Sequence, residues 1–310
     1  MVLRLVNYVP ADRPDWPPRA GALVEDGLVD IAEACEATDS ECGCDGSVVG
    51  LLACPDCLEV AREAVAQAAG IVPLAQVKLL APVPRPGKLL CLAGNYAEHI
   101  TEGGRAELHQ SDRATPRVFM KPVPNTVCAP DDPILIGKTA QFVDYEGELA
   151  VIIGRRGKYI PAAEALSYVG GVTCLNDVSE RRLKIWERPE DRPWDRFFDW
   201  LNGKWCDSFA PMGPCAVPVS DIGDLQALKL ITRVNGQTVQ EASTAQMIFT
   251  VAQQIEYISH LMTLDPGDVI ATGTPAGVGT ARGVALQPGD VVEVEVEGIG
   301  VLRNPVAREP

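Results

Sequence analysis

The chain has 310 residues, with 42 acidic against 27 basic side chains and a formal net charge of -15. That balance argues against nucleic acid or an anionic membrane surface as the main partner, but leaves room for a small anionic substrate in a locally basic cleft. Apolar residues make up 46% of the chain, enough for a sizeable core and, at ~150 residues per domain, for about two domains. No apolar run reaches transmembrane length, and the opening MVLRLVNYVPADRPDWPP lacks the apolar stretch of a signal peptide, so a cytoplasmic protein without a membrane partner is expected.

In chain order, residues 1–80 read as a small N-terminal, β-rich lobe. Leu3–Val9 and Gly21–Ile31 have strand character, with Asp26-Gly27 as a hairpin turn signal, and a helix is expected from about Pro55 to Ala69. The lobe also holds Cys42, Cys44, Cys54 and Cys57. Their spacing resembles a zinc site, yet Cys54 and Cys57 lie three apart in the helical stretch and serve equally well as small packing residues. The other six cysteines (Cys35, Cys91, Cys128, Cys174, Cys206, Cys215) are scattered in mostly apolar surroundings and read as buried thiols. Ala81–Gly87 carries three prolines, which excludes a helix or a central strand, so a linker is expected before a second domain at 81–310.

Beyond Lys88 the apolar runs Lys88–Ala93, Glu148–Ile153, Val217–Val219, Leu228–Val234 and Val291–Val296 read as strands. Two Pro-Gly-Asp turns, ending at Asp268 and Asp290, each precede such a run. Thr244–Leu261 reads as a helix with Met247, Val251, Ile255 and Ile258 on or near one face. The expected class is α+β, mostly β.

Glu146 and Glu148 stand two apart at the start of an apolar strand, so both carboxylates point the same way. Like charges side by side repel unless a cation lies between them. A solvent-facing strand carries the same pattern without a metal, but here five apolar residues, Leu149–Ile153, follow directly. Asp177, at the end of another apolar stretch, is a turn residue, a cap for the segment from Glu180, or a third ligand. Three hard oxygen donors with open positions suit Mg²⁺, Mn²⁺ or Ca²⁺ rather than zinc. His99 and Glu102 lie three apart, on one face of a helical turn, where a carboxylate orients the imidazole and raises its basicity. A surface His beside a surface Glu looks the same. Lys121 and Lys204 read alone are ordinary solvated lysines, and the Gly-rich loop Thr272–Gly279 is read alone as a tight turn.

Taken together, Lys88–Glu102 (KLLCLAGNYAEHITE), Arg117–Pro122 (RVFMKP), Val143–Arg155 (VDYEGELAVIIGR), Leu175–Ser179 (LNDVS), Asn202–Pro214 (NGKWCDSFAPMGP), Leu264–Gly279 (LDPGDVIATGTPAGVG) and the ending Leu286–Val306 resemble the fumarylacetoacetate hydrolase family. The resemblance implies a β-roll or mixed-sheet catalytic domain, commonly a homodimer, with Mg²⁺ or Mn²⁺ held at Glu146, Glu148 and Asp177. It further implies His99–Glu102 as a water-activating dyad, with Gly103-Gly104 and the polar run to Thr115 as a mobile lid. Lys121 and Lys204 would face the metal site, and Arg181 and Thr274 would contact substrate. The chain departs from the family pattern at three positions: Lys184 stands where hydrolytic members carry an oxyanion-holding Gln, Arg182 replaces an Asp, and Gly171 replaces a common Tyr. An insert at 185–200, with Trp186, Trp194 and Trp200, reads either as pocket wall or as dimer packing. The expected substrate is a small anionic 2-oxo or 2,4-dioxo acid, and the expected reaction is hydrolysis or decarboxylation through an enolate. A lyase, isomerase or dehydratase on the same enolate, or a non-catalytic relative, is the alternative.

Overall fold

The structure, a computed structural model, describes residues 2–25, 27–31, 46–67, 70–102 and 114–310. Its organising element is the strand Gly147–Ile153, in which all seven residues are buried. An apolar run without alternation belongs in a strand covered on both faces. Leu149, Val151 and Ile153 pack with Leu230, Val294, Val296, Ile255 and Ile258 on one side. Ala150 and Ile152 pack on the other side with Leu51, Leu52 and Cys57 of the N-terminal helices Val48–Ala53 and Pro55–Gln67. Glu146 and Glu148 continue the parity of Ala150 and Ile152.

Gly147–Ile153 pairs antiparallel with Val169–Asn176 on one edge and Val269–Ala271 on the other. Val269–Ala271 runs parallel to Leu89–Leu92, which pairs with Val118–Met120. In the other direction Val169–Asn176 pairs with Ala210–Pro218, and that strand meets Leu5–Pro10, Arg19–Val24, Gly27–Asp30 and Ile71–Val72 in turn. The fold is α+β and mostly strand. A second sheet of five strands contains Lys229–Val234 and Val291–Val296. The latter alternates buried and half-buried residues, so Val292, Val294 and Val296 face the core while Glu293 and Glu295 face out.

The N-terminal segment is therefore not set apart as an independent sheet. Leu5 pairs with Ala216, and one sheet runs from the first strands into those that carry Glu148 and Asn176. Gly171 supports this packing: a Cβ there would come within 2.9 Å of the Leu52 side chain, so the small residue makes room for the N-terminal helix. The segment 81–87 carries no regular structure, as its prolines predict, yet it is not a free linker. Ala81 and Val83 are buried, and the Asn7 side chain donates to the carbonyls of Ala81 and Pro82. The expected hairpin forms between Val24 and Gly27, Asp26 itself lying outside the described residues.

The helix expected over Thr244–Leu261 is broken. Thr244–Gln246 is a 3-10 turn and the α-helix runs Val251–Leu261, capped by a Thr250–Gln253 capping box. The break falls where the amides of Ile248 and Phe249 donate to the backbone and side-chain oxygens of Asn95. The two Pro-Gly-Asp turns are built alike, each aspartate accepting from the amide three residues before it at 2.7 Å, but their strands enter different sheets. Cys54, between the two N-terminal helices, and Cys57, in the second, are buried; Cys35, Cys42 and Cys44 lie outside the described residues. Burial raises the thiols of Cys91, Cys128, Cys174, Cys206 and Cys215 above their ordinary pKa. Among the described residues no helix is long and apolar enough to cross a membrane.

Candidate active site and metal centre

The ends of two neighbouring strands bring three acids together. Gly147 pairs with Asn176, which sets Asp177 beside Glu146, and the Asp177 amide donates to the Glu146 carbonyl at 2.9 Å. The Asn176 side chain locks the corner by accepting from the Glu146 amide at 2.9 Å. As a result Glu146, Glu148 and Asp177 are all buried, and one carboxylate oxygen of each lies within 4.8 Å of the other two. The close approach depends on Gly147, where a Cβ would sit 2.0 Å from the Thr232 hydroxyl.

Charge decides what this cluster can hold. Lys204 Nζ donates to both Glu146 Oε2 and Asp177 Oδ2 at 2.7 Å. Lys121 Nζ donates to Asp177 Oδ1 at 2.5 Å. Arg181 bridges Asp144, at 3.0 Å from its Nε, and Glu146. Four carboxylates are thus met by three cations, and the surplus falls on Glu148. Its Oε2 accepts from the Gly273 amide at 2.7 Å, but its buried Oε1 has no hydrogen-bond partner among the described residues.

The two glutamates are driven apart in pKa. Burial, joined by the charges of Asp177 and Glu146, pushes Glu148 well above the carboxylate range. Burial acts on Glu146 as well, but Arg181 and Lys204 outweigh it and hold that carboxyl below its ordinary range. Burial opposes the charge on Lys204, yet Asp177 and Glu146 prevail and raise it to about 12. An orphaned, desolvated carboxylate oxygen beside two further carboxylates is the donor set that a hard divalent cation fits.

His99 and Glu102 come from the short helix Ala97–Glu102. His99 Nδ1 lies 2.8 Å from Glu102 Oε1, and Glu102 Oε2 accepts from the Gly277 amide at 2.8 Å. The loop Thr272–Gly279 therefore offers amides four residues apart to two different carboxylates, Gly273 to Glu148 and Gly277 to Glu102. Gly277 has φ +107°, and a Cβ there would meet the Val239 carbonyl at 2.1 Å, so only glycine lets the loop run this close. Asn95 ties the helix entrance to the same loop, donating to the carbonyls of Phe249 and Thr272.

A cleft of about 400 Å³ opens over these groups, lined among others by His99, Glu102, Glu146, Arg181, Lys204 and Thr274. The Thr274 hydroxyl donates to the Gly147 carbonyl at 2.9 Å and accepts from Gln240 at 2.8 Å. Lys121 reaches the cluster from below, through Asp177. Lys184 does not join the site: it is exposed and pairs with Glu187 at 2.6 Å. From the insert only Trp200 reaches the cleft, with its ring edge-on to Phe119 at 5.2 Å, while Trp186 and Trp194 stay exposed. The lid expected over Gly103–Thr115 falls largely outside the described residues.

Three contributors were not anticipated. Asp144, fully buried, accepts from Arg181, from the amides of Gly279 and Thr280, and from the Thr280 hydroxyl. The signal for it was present, since Asp144, Glu146 and Glu148 share one period of two. Asn176 had no such signal beyond its place before Asp177. Glu180 is buried and accepts from the amides of Gln141, Phe142 and Arg182, fastening the segment that carries Arg181.

The family model for the C-terminal domain of fumarylacetoacetate hydrolase matches residues 88–307. A mitochondrial oxaloacetate tautomerase of Bos taurus is 39% identical over 251 residues, covering 80% of this chain and 76% of that protein. The maleylpyruvate hydrolase of a Sphingobium species, solved with manganese(II) and pyruvate, superposes with a TM-score of 0.76 at 26% identity, covering 99% of this chain and 100% of that one. A probable 2-hydroxyhepta-2,4-diene-1,7-dioate isomerase of Mycobacterium abscessus superposes with a TM-score of 0.73 at 28% identity, each chain covered in full. With the family region spanning the cluster, the dyad and the loop that joins them, the chain belongs to the fumarylacetoacetate hydrolase family and is an enzyme.

Proposed function

We propose that this enzyme holds a divalent cation, Mg²⁺ or Mn²⁺, at Glu146, Glu148 and Asp177 and acts on a small 2-oxo or 2,4-dioxo acid through its enolate. The observation that carries the reading is Glu148 Oε1, without a hydrogen-bond partner among the described residues, within three buried carboxylates and opposite a His–Glu dyad in one cleft. The relatives support it, since a tautomerase, a hydrolase and an isomerase of 2-oxo acids share the need to form or quench an enolate.

When bound, the cation supplies Lewis acidity toward the 2-oxo and carboxylate oxygens of the substrate. Glu102, held by the Gly277 amide, accepts a hydrogen bond from His99 Nδ1–H and leaves Nε2 as the base. His99 takes a proton from water, or from the carbon next to the 2-oxo group. Lys204 and Arg181 offset negative charge as it develops on the substrate oxygens. Attack of the activated water on a distal carbonyl breaks the C–C bond and gives hydrolysis. Loss of a carboxylate as CO₂ gives decarboxylation, and return of the proton to carbon without bond cleavage gives tautomerisation or isomerisation.

One observation favours the last outcome. Lys184 points away from the cleft, so the position that carries the oxyanion-holding Gln in hydrolytic members contributes no donor here. The test is product analysis on a panel of 2-oxo and 2,4-dioxo acids with Mg²⁺ or Mn²⁺, using wild type, Glu146→Ala and His99→Ala. Metal-dependent turnover lost in both variants supports the reading, and pyruvate, CO₂ or a keto–enol shift identifies the branch. Failure to bind any divalent cation would overturn it.

A further inference from the structure

Among the described residues, every cation lining the cleft is already neutralised by a carboxylate of the protein, with one exception. Arg181 pairs with Asp144 and Glu146, and Lys204 with Glu146 and Asp177. Arg117 also lines the cleft, is exposed, and makes no ion pair or side-chain hydrogen bond with any described residue.

Its position is set by the sheet. The Arg117 carbonyl accepts from the Ala93 amide at 2.9 Å, which keeps Arg117 in register with Leu89–Leu92 just ahead of Val118–Met120. Alternation then puts Arg117, Phe119 and Lys121 on one face. That face is the one that meets the site: Lys121 Nζ bonds Asp177, and the Phe119 ring lies 5.1 Å from Lys204 Nζ. The four residues from Lys121 to Arg117 span about 13 Å of strand. Lys121 thus marks the buried end and Arg117 the mouth, with apolar Leu92, Ile100 and Val278 along the walls between.

We propose that Arg117 is a specificity-determining residue that binds a second, distal carboxylate, so that the cleft selects dicarboxylic over monocarboxylic 2-oxo acids. The inference rests on reading Glu146, Glu148 and Asp177 as the seat of the 2-oxo acid end. An unpaired guanidinium at the open end of an apolar-walled cleft in a protein of net charge -15 is a local reversal of sign that a monocarboxylate would not use. Arg117 forms charge-assisted hydrogen bonds with the far carboxylate, while the walls exclude water from the chain between.

The test is calorimetric binding to Mn²⁺-loaded protein of two acids that share one head group, 2-oxoglutarate and 2-oxopentanoate, which differ in a terminal carboxylate against a methyl. Wild type is expected to prefer the diacid by roughly ten- to a hundredfold. In Arg117→Gln the preference collapses to about twofold or less, Arg117→Lys keeps a substantial part of it, and rising ionic strength erodes it in wild type. Equal affinity of wild type for the two acids, or an undiminished preference in Arg117→Gln, overturns the proposal. The readout needs no turnover. A protein that binds the diacid through Arg117 yet converts no 2-oxo acid would sink the proposed function and uphold this assignment.

Discussion

The Gly277 amide donates to Glu102 Oε2 at 2.8 Å, and through that one bond the loop beside the carboxylate cluster sets the angle of the His99 ring. Glu102 thus has one oxygen for the loop and one for the imidazole. Replacing it with Gln keeps a carbonyl for one partner but removes the charge that stabilises an imidazolium. Glu102→Gln is expected to lower kcat by about 10²–10⁴ while divalent-metal affinity stays within a few-fold. Steady-state kinetics beside a metal titration checks this. An equal loss of metal binding would show that Glu102 acts structurally.

Metal affinity is expected to rise with pH. Burial and the neighbouring charges of Asp177 and Glu146 raise Glu148 in the metal-free protein, so a proton occupies the site below that raised pKa and must leave when a cation enters. Each pH unit gained below it strengthens binding by about tenfold. The same shift makes Glu148 a stability liability, because a group with a raised folded pKa favours folding most below its unfolded pKa and loses that contribution as pH rises through the folded value. Glu148→Gln should therefore abolish tight metal binding yet melt no lower than wild type without metal at pH 8. A marked drop in melting temperature would contradict the surplus-charge account.

Lys204 is the opposite case. With its pKa raised to about 12, it is charged at every working pH, and its stabilising contribution is lost only as pH rises through that value. Lys204→Met leaves Glu146 and Asp177 short of a buried counter-charge. A loss of about 3–5 kcal/mol is expected for the metal-free protein by denaturant unfolding, partly restored by Mn²⁺. A loss that Mn²⁺ leaves unchanged would argue that the cation does not sit among these carboxylates.

Gly147 lies between Glu146 and Glu148 and against the buried Thr232 hydroxyl, which has no hydrogen-bond partner among the described residues. Gly147→Ala should destabilise by about 1–3 kcal/mol through overpacking and weaken metal binding by displacing the glutamates. Thr232→Ala in the same chain removes the clashing hydroxyl and should recover more than half of both losses. No recovery in the double variant would place the strain elsewhere.

Much of the site was legible as sequence because its chemistry is local. Period two brought Glu146 and Glu148 to one face, and it held equally for Asp144. The i, i+3 spacing predicted the His99–Glu102 contact, and the apolar runs at Lys88–Ala93, Glu148–Ile153, Leu228–Val234 and Val291–Val296 marked their strands within a residue or two, whereas the run Val217–Val219 caught only the end of the strand Ala210–Pro218. The strand Val291–Val296 has the bounds its sequence suggests, because one buried face imposes a strict alternation. Only the tertiary structure decided the rest, and in each case the cause is a partner distant in the chain. Asn95, about 150 residues away, breaks the helix expected to begin at Thr244. Leu5 meets Ala216, so the N-terminal strands extend the sheet. Lys184, placed near the site by its motif, turns outward to Glu187 while Arg181, three residues before, turns in to Asp144 and Glu146. Spacing along a strand or a helical turn determines which side chains share a face. Which face is buried, and how many cations meet its carboxylates, depends on contacts between segments that the order of residues does not place side by side.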